Sequence, residues 1–401
     1  MDFVSRLISQ LGPVAGMVLK AIFFSLLGIF LLVAFIVTRR WYRARYFRRL
    51  NQRTFALRAV WDDLVAGRLP VKEWRLNPFD CEIVEAILLD NIETANPDQL
   101  APLLSCLRDS GLLDMRIREA RVSGGWKRRT ALVALGRTRA PEAVPALAEA
   151  LDSPSEETRV AAVRGLGRTG LPGAAVPLLD RLVGNEIEVP EHTLKNALAN
   201  CCRKSPSVLI SYLNKSTRQT RELIARVLGE VASAELGDEL MILAADPLAE
   251  VRASAARALA AAPPSIALPA LTVLVCDDEW FVRLRAVVAL GFMEHQGRVR
   301  PLIRALCDRN RYVRQRAAWA LARLGPQLED VLEQVVDTRD SYALQAFVSE
   351  LERSGAIEKV IEALAGSEED NSAGNVLLDA LNAGKKRVEA ALISAAAAGR
   401  G

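Results

Sequence analysis

Histidine is nearly missing from this sequence: 401 residues hold only His192 and His295. That scarcity removes the commonest general base and the commonest metal ligand. Neither histidine has company suited to chemistry. His192 precedes Cys201 and Cys202, but adjacent residues on a helix point apart, so these thiols read as core side chains rather than ligands. His295 stands beside Glu294 in a turn and reads as exposed. The six cysteines, Cys81, Cys106, Cys201, Cys202, Cys276 and Cys307, follow no disulfide or zinc spacing. Scattered through apolar stretches, they fit buried thiols in a reducing compartment. No phosphate-binding P-loop and no nucleophile elbow is present. The stretch Gly165-Leu-Gly-Arg-Thr-Gly170 spells G-x-G-x-x-G, yet a dinucleotide site needs those glycines to follow a strand and open a helix, whereas Gly167 falls where a helix closes. Asp277, Asp278 and Glu279 form an acidic cluster, but Asp277 belongs to a repeat described below. Neither a catalytic set nor a cofactor or metal site emerges, and a non-enzymatic protein is expected. The net charge of +4 is too small to signal a nucleic-acid protein by itself.

One long apolar run is present. Ala21 to Val37 carries no charge at any position, and all but a few of its side chains are Leu, Ile, Phe or Val. At roughly 0.3–0.6 kcal/mol each these favour insertion by about 6 kcal/mol, and Lys20 near the end can snorkel. A cleaved signal peptide would end on small residues; here Thr38-Arg39-Arg40-Trp41 follows, so a retained transmembrane helix is expected over 14–37 after a short N-terminus of 1–13. Arg39, Arg40, Arg43, Arg45, Arg48, Arg49 and Arg53 crowd the C-terminal flank with no acid among them, which places the N-terminus outside and the remainder in the cytoplasm. Trp41, Tyr42, Tyr46 and Phe47 suit an interfacial belt, and the arginines could also meet anionic headgroups. Gly12 and Gly16 are spaced for helix pairing, beside Pro13. Residues 38–78 read as a basic juxtamembrane helix and linker, the helix continuing as an amphipathic one over Thr54–Ala66 and the linker running over Gly67–Pro78. Residues 79–125 read as a divergent repeat that caps a stack.

The stack is written in a phrase. Val282–Gly291 reads V-R-L-R-A-V-V-A-L-G, and one constant step, the distance from Arg252 to Arg283, lands on Val251–Ala260, Val313–Ala322, Thr220–Gly229, Thr158–Gly167 and Lys127–Gly136. The basic column runs Arg128, Arg159, Arg221, Arg252, Arg283, Arg314, broken only at Pro190, where Leu194, Ala197 and Leu198 keep the apolar frame. A fixed period over seven copies means one unit stacked repeatedly. Each unit holds a first helix with the phrase and a second helix such as Glu142–Leu151, Ile266–Cys276 or Val299–Leu306. Gly136, Gly167, Gly229 and Gly291 are expected to end the first helices, and Ser153-Pro154 and Asp246-Pro247 to cap and open the next ones. Asp246, Asp277 and Asp308 lie six residues before the repeat arginine and can bond within and between units. After Asp337 the phrase decays, and 338–401 reads as degenerate helices and a frayed tail.

The phrase [VT]-R-x-x-A-[AV]-x-A-L-G, with its preceding Asp and its Pro/Ala-rich second helix, resembles HEAT repeats, in particular the short phycobilin-lyase-type variety. The resemblance covers 126–337 well and Phe79–Ala398 loosely. It implies an all-α fold: a right-handed α-solenoid of HEAT-like hairpins, here preceded by one transmembrane helix. It also implies a structural ladder of Asp246, Asp277 and Asp308 with Arg252, Arg283 and Arg314. The step from Arg252 to Arg283 makes the unit shorter than the family's usual forty or so, which predicts compact helices and short turns.

Surface chemistry remains. Five residues after the repeat arginine stand Val133, Arg164, Lys195, Arg226, Arg257, Val288 and Trp319, so four consecutive units carry a basic residue in one column. With helices about 8–10 Å apart these predict a positive stripe. Arg283–Arg323 holds ten arginines, Arg285 and Arg316 among them, against Glu294 and Asp308, with Trp280, Tyr312 and Trp319 interleaved. That composition marks interaction hot spots. The combined expectation is a single-pass bacterial inner-membrane protein whose cytoplasmic solenoid docks membrane-associated protein partners, such as a polysaccharide synthase, a secretion complex or its regulator. Two alternatives accompany it: a nucleic-acid binder using the stripe, disfavoured by the anchor, and a lyase-like or chromophore-handling protein, disfavoured by the shortage of acid–base groups.

Overall fold

The computed structural model describes residues 13–59, 61–65, 78–324 and 328–356, and every regular element among them is helical. The chain divides into two compact units, 1–115 and 116–401.

In the first unit α1 (Pro13–Ala59) is one unbroken helix of 47 residues. The expected division near residue 38 is not a break in the backbone. No Gly or Pro stands between Gly28 and Gly67, the intervening residues are mostly good helix formers, and Thr38 and Thr54 turn their hydroxyls back onto the Ala34 and Leu50 carbonyls at 2.7 and 2.8 Å. The apolar part is exposed all round, with Phe23, Phe24, Phe30 and Phe35 bare, and the helix is long and apolar enough to cross a membrane. Arg39, Arg40, Arg43, Arg45, Arg48 and Arg49 are exposed along its continuation, with Arg45 lying 5.4 Å from the Trp41 ring centre. Of the amphipathic segment expected from Thr54, the described residues are helical, in the last residues of α1 and in α2 (Trp61–Val65). Then α3 (Pro78–Thr94) and α4 (Pro97–Asp109) bury Val84, Leu88, Ile92, Leu103 and Leu107. The expected short N-terminus, Gly12 of the glycine pair, most of the linker and the C-terminal stretch beyond 356 lie outside the described residues.

After α5 (Leu112–Val122), the second unit is an array of hairpins in two rows. The first row holds α6 (Gly125–Arg137), α8 (Glu156–Thr169), α10 (Glu191–Cys202), α12 (Arg218–Val231), α14 (Ala249–Ala258), α16 (Trp280–Phe292), α18 (Arg311–Leu321) and α20 (Ser341–Ser354). Between them run α7 (Ala143–Glu149), α9 (Ala175–Val183), α11 (Ser207–Leu213), α13 (Gly237–Ala244), α15 (Pro264–Leu274), α17 (Val299–Leu306) and α19 (Leu328–Asp337). The phrase explains the burial. Its first, fifth, sixth and ninth positions share one helix face, and Val251, Ala255, Ala256 and Leu259 are buried, as are Val282, Ala286, Val287 and Leu290, and Val313, Ala317, Ala318 and Leu321. The second helix expected over Val299–Leu306 has those bounds.

Two local expectations are corrected. Gly136, Gly167, Gly229 and Gly291 do not cap their helices; each lies inside one. They are small because neighbouring first-row helices nearly touch there: a Cβ on Gly136 would stand 2.6 Å from Gly165 Cα, and one on Gly167 2.5 Å from Ala197 Cα. The left-handed glycine that ends α8 is Gly170, with φ 62°. Likewise Ser153 and Asp246 are not the helix caps. The cap of α8 is Ser155, whose hydroxyl accepts from Thr158 N–H, and α14 begins two residues beyond Pro247. Asp246 instead accepts the Leu248 N–H at 2.9 Å, tying down the turn before the helix.

Candidate functional site

The repeat arginine and the acid six residues before it do not pair with each other's charges. Arg252 donates through Nη1 to the Asp246 and Pro247 carbonyls of its own unit at 3.0 and 3.1 Å. Its Nε and Nη2 grip Asp277 of the next unit at 2.7 and 2.9 Å. Arg283 repeats both contacts one unit on: Asp277 and Asp278 carbonyls at 2.9 and 3.0 Å, and the Asp308 carboxylate at 2.5 and 2.9 Å. Arg221 also reaches Asp246 of the next unit, but its Nε and Nη2 share the one oxygen Oδ2, and its Nη1 donates to the Leu213 carbonyl at 2.9 Å. Each acid also accepts the N–H two residues on, Leu248, Glu279 and Asn310 respectively. The ladder therefore links acid to the arginine 25 residues earlier, across the unit boundary. Burial pushes the Asp277 carboxyl up, but the Arg252 hydrogen bonds, the Glu279 N–H and the Arg283 charge outweigh it and hold it below the ordinary carboxylate value. The Asp308 hydrogen bonds raise the Arg283 guanidinium against its own burial.

Arg314 departs from this pattern. Its Nη1 grips the Asp308 and Arg309 carbonyls at 2.8 and 3.2 Å, as its predecessors do. At the place where the other units carry the acid stands Arg339. Asp340, one residue on, accepts the Tyr342 and Ala343 N–H groups at 2.8 and 3.1 Å and caps α20. The guanidinium of Arg314 faces the Tyr342 ring at 5.5 Å.

The basic column is brought together in part. Lys195 and Arg257 both reach Glu230, at 2.5 and 3.5 Å, and Arg226 reaches Glu191 at 2.9 Å. This column is thus a chain of alternating charge between α10, α12 and α14, while Arg164 on α8 is exposed. Sequence reading missed the two glutamates because they lie outside the column's frame, at different offsets from the repeat arginine.

The aromatic and arginine cluster converges. Trp280, Arg285, Tyr312, Arg316 and Trp319 all line a groove of about 890 Å³ on α16, α18 and α20. Trp280 and Tyr312 lie 6.2 Å apart, and both remain about half exposed. The Arg316 and Arg323 guanidinium groups both lie over Trp319, 4.9 and 4.8 Å from its ring centre, and the ring meets Phe292 edge-on at 5.7 Å. Arg311 lies over Tyr312 at 4.7 Å and donates to its hydroxyl at 2.8 Å. Arg314 and Tyr342 line the groove too; sequence reading counted the first in the ladder and passed over the second, although it follows Tyr312 by almost one repeat. Such a surface offers flat rings for apolar contact and guanidinium groups for anions. Glu350, an acid that lines it, is already paired with Arg353.

The groups weighed for chemistry stay apart. Cys201 and Cys202 are buried, both thiols pushed up to about 12 by burial, and Cys201 donates to the Leu166 carbonyl. His192 is exposed beside Thr193, and His295 Nδ1 accepts the Gly297 N–H. Among the described residues no three His, Cys, Asp or Glu side chains converge as a metal site. Gly165 and Gly167 lie in the C-terminal half of α8, the end opposite to one that binds phosphate.

Solved structures similar to this chain include an engineered protein (19% identity, 80% of this chain and 98% of that one covered, TM-score 0.34). An Escherichia coli protein, YibA, matches at 17% identity over 74% of this chain and 96% of its own, with TM-score 0.31. Human deoxyhypusine hydroxylase in complex with glycerol matches at 17% identity over 61% and 98%, with TM-score 0.26. No curated protein sequence matches. The HEAT-repeat family model matches residues 125–199, 206–291, 237–307 and 269–352, more than half of the chain. With the two rows of hairpins and the inter-unit ladder, this makes the chain a member of the HEAT-repeat family.

Proposed function

We propose that this protein is a membrane-held docking scaffold: α1 anchors it in the bacterial inner membrane with the N-terminus outside, and the cytoplasmic repeats bind protein partners through the groove of α16, α18 and α20. The observation that carries this reading is the convergence of Trp280, Tyr312 and Trp319 with Arg285 and Arg316 on one exposed surface. Tryptophan, tyrosine and arginine dominate binding hot spots, and HEAT repeats generally mediate protein–protein interaction. The exposed apolar face of α1 and the arginines that follow it support the anchor and its direction. Confinement to a membrane favours partners held there too, such as components of an envelope synthesis or secretion machine. The pairing of Lys195, Arg226 and Arg257 with glutamates leaves the nucleic-acid alternative without a continuous cationic track. The test is crosslinking capture from membranes with the native chain and with Trp280→Ala/Tyr312→Ala. Loss of hot-spot residues at roughly 2 kcal/mol or more each should abolish a partner recovered with the native chain. Recovery of the native chain in the soluble fraction, or equal capture by both forms, would contradict the reading.

A further inference from the structure

We infer that the groove recognises an acidic peptide segment of a partner protein, and that the Arg314 guanidinium takes a carboxylate of that segment edge-on through Nε and Nη2. The inference rests on the docking role of the groove and specifies the chemistry of what docks.

The chain itself shows what this guanidinium geometry holds. Arg252 and Arg283 are gripped from behind by two carbonyls of their own unit and present Nε and Nη2 to an aspartate. Arg314 is gripped by the same two carbonyl positions, at 2.8 and 3.2 Å, so its planar head is held in place. The internal aspartate is replaced by Arg339, and the neighbouring Asp340 spends its Oδ1 on capping α20. Among the described residues, Nε and Nη2 of Arg314 have no acceptor. The head is half-buried, lines the groove and lies against the Tyr342 ring. A guanidinium fixed in orientation matches a carboxylate through two parallel hydrogen bonds.

The surroundings select the rest of the ligand. Arg285, Arg311 and Arg316 line the same groove, while its acid, Glu350, is paired with Arg353. An incoming segment therefore meets an excess of positive charge. Between the arginines, Trp280, Tyr312 and Tyr342 expose ring surface, which suits apolar side chains alternating with the acids.

The experiment uses the full chain in detergent micelles and two labelled peptides, one alternating leucine with aspartate and a twin alternating leucine with asparagine, with binding read by fluorescence polarisation. The acidic peptide should bind at least about ten-fold more tightly than its twin. Arg314→Lys keeps the charge and loses the paired donors; it should weaken the acidic peptide about ten-fold, with the twin unaffected, while Arg164→Gln, outside the groove, changes neither. Equal affinities for the two peptides on the native chain would overturn the inference, and that comparison needs no variant to fold. Unchanged binding by a folded Arg314→Lys chain would overturn it as well. Neutralising Glu368, Glu369 and Asp370 of the chain's own C-terminal stretch should leave the affinity unchanged; a ten-fold gain would overturn a foreign occupant in favour of that stretch. Partner capture that depends on Trp280 and Tyr312 but not on Arg314 would sink this inference and leave the docking reading standing.

Discussion

Arg283 and Asp308 form a two-point hydrogen-bonded pair at 2.5 and 2.9 Å across the boundary between α16 and the α18 unit, both side chains buried. Taken alone, a buried pair is weak evidence of net stability, because desolvating two charges offsets much of their attraction. Its geometric effect is firmer. The guanidinium is simultaneously bonded to two carbonyls of its own unit, so the pair fixes how one hairpin sits on the next. Removing one member leaves the other charged and buried, and Asp308→Asn should cost about 3–5 kcal/mol. Chemical denaturation of the native and variant chains measures this; a loss below about 1 kcal/mol would show that the ladder is ornamental.

Acid should loosen the ladder. The Asp277 carboxyl is held below its ordinary value of 3.8 in the folded chain. A depressed carboxylate contributes stability that is present above the unfolded value and lost as pH falls through the folded one. The melting temperature should therefore drop as pH falls below about 4, and that drop should be shallower in Asp277→Asn. Parallel curves for the two chains would remove Asp277 from the explanation.

The internal glycines set the spacing of the first row. A methyl at Gly167 would stand 2.5 Å from the Ala197 Cα, and one at Gly136 2.6 Å from the Gly165 Cα, both backbone atoms that cannot swing away. Overpacking of this kind typically costs about 1–3 kcal/mol, outweighing the gain of up to about 1 kcal/mol from placing Ala rather than Gly in a helix. Gly167→Ala should lower the melting temperature, whereas Gly173→Ala, with open space around it, should not.

Thiol labelling should sort the cysteines by burial. Cys276 is exposed, whereas Cys106, Cys201 and Cys202 are buried, with thiols pushed up to about 11, 12 and 12. Mild alkylation at neutral pH followed by mass mapping should mark Cys276 and spare those three. Rapid labelling of Cys201 in the folded chain would mean that the α8–α10 packing is open.

The array was legible in the sequence because its cause is local and repeated. One phrase fixes the helix, the buried face and the arginine, so Val282, Ala286 and Leu290 announced their burial by spacing alone. The role of Gly167 was not legible. A glycine near a helix end suggests a cap, and only the approach of Ala197 from the next unit reveals a packing constraint. For the same reason the ladder could be anticipated from the Asp and Arg columns, but not that each arginine passes over its own unit's carboxylate for one 25 residues ahead. The groove was half legible: Trp280, Tyr312 and Trp319 stood out by type, while the exceptional state of Arg314 depends on Arg339 standing where the next unit would carry its aspartate. The transmembrane and basic juxtamembrane helices join in one α1 because the change from apolar to basic residues alters solvent preference and leaves backbone preference unchanged.

The docking surface itself is tested most directly by photo-crosslinking in intact membranes from a reactive side chain placed at Tyr312, with the same group at Val133 as the control. One discrete protein adduct is expected from position 312, lost when Trp280 is replaced by alanine, and none from position 133. Absence of an adduct at 312, or the same adducts from both positions, would contradict the docking role.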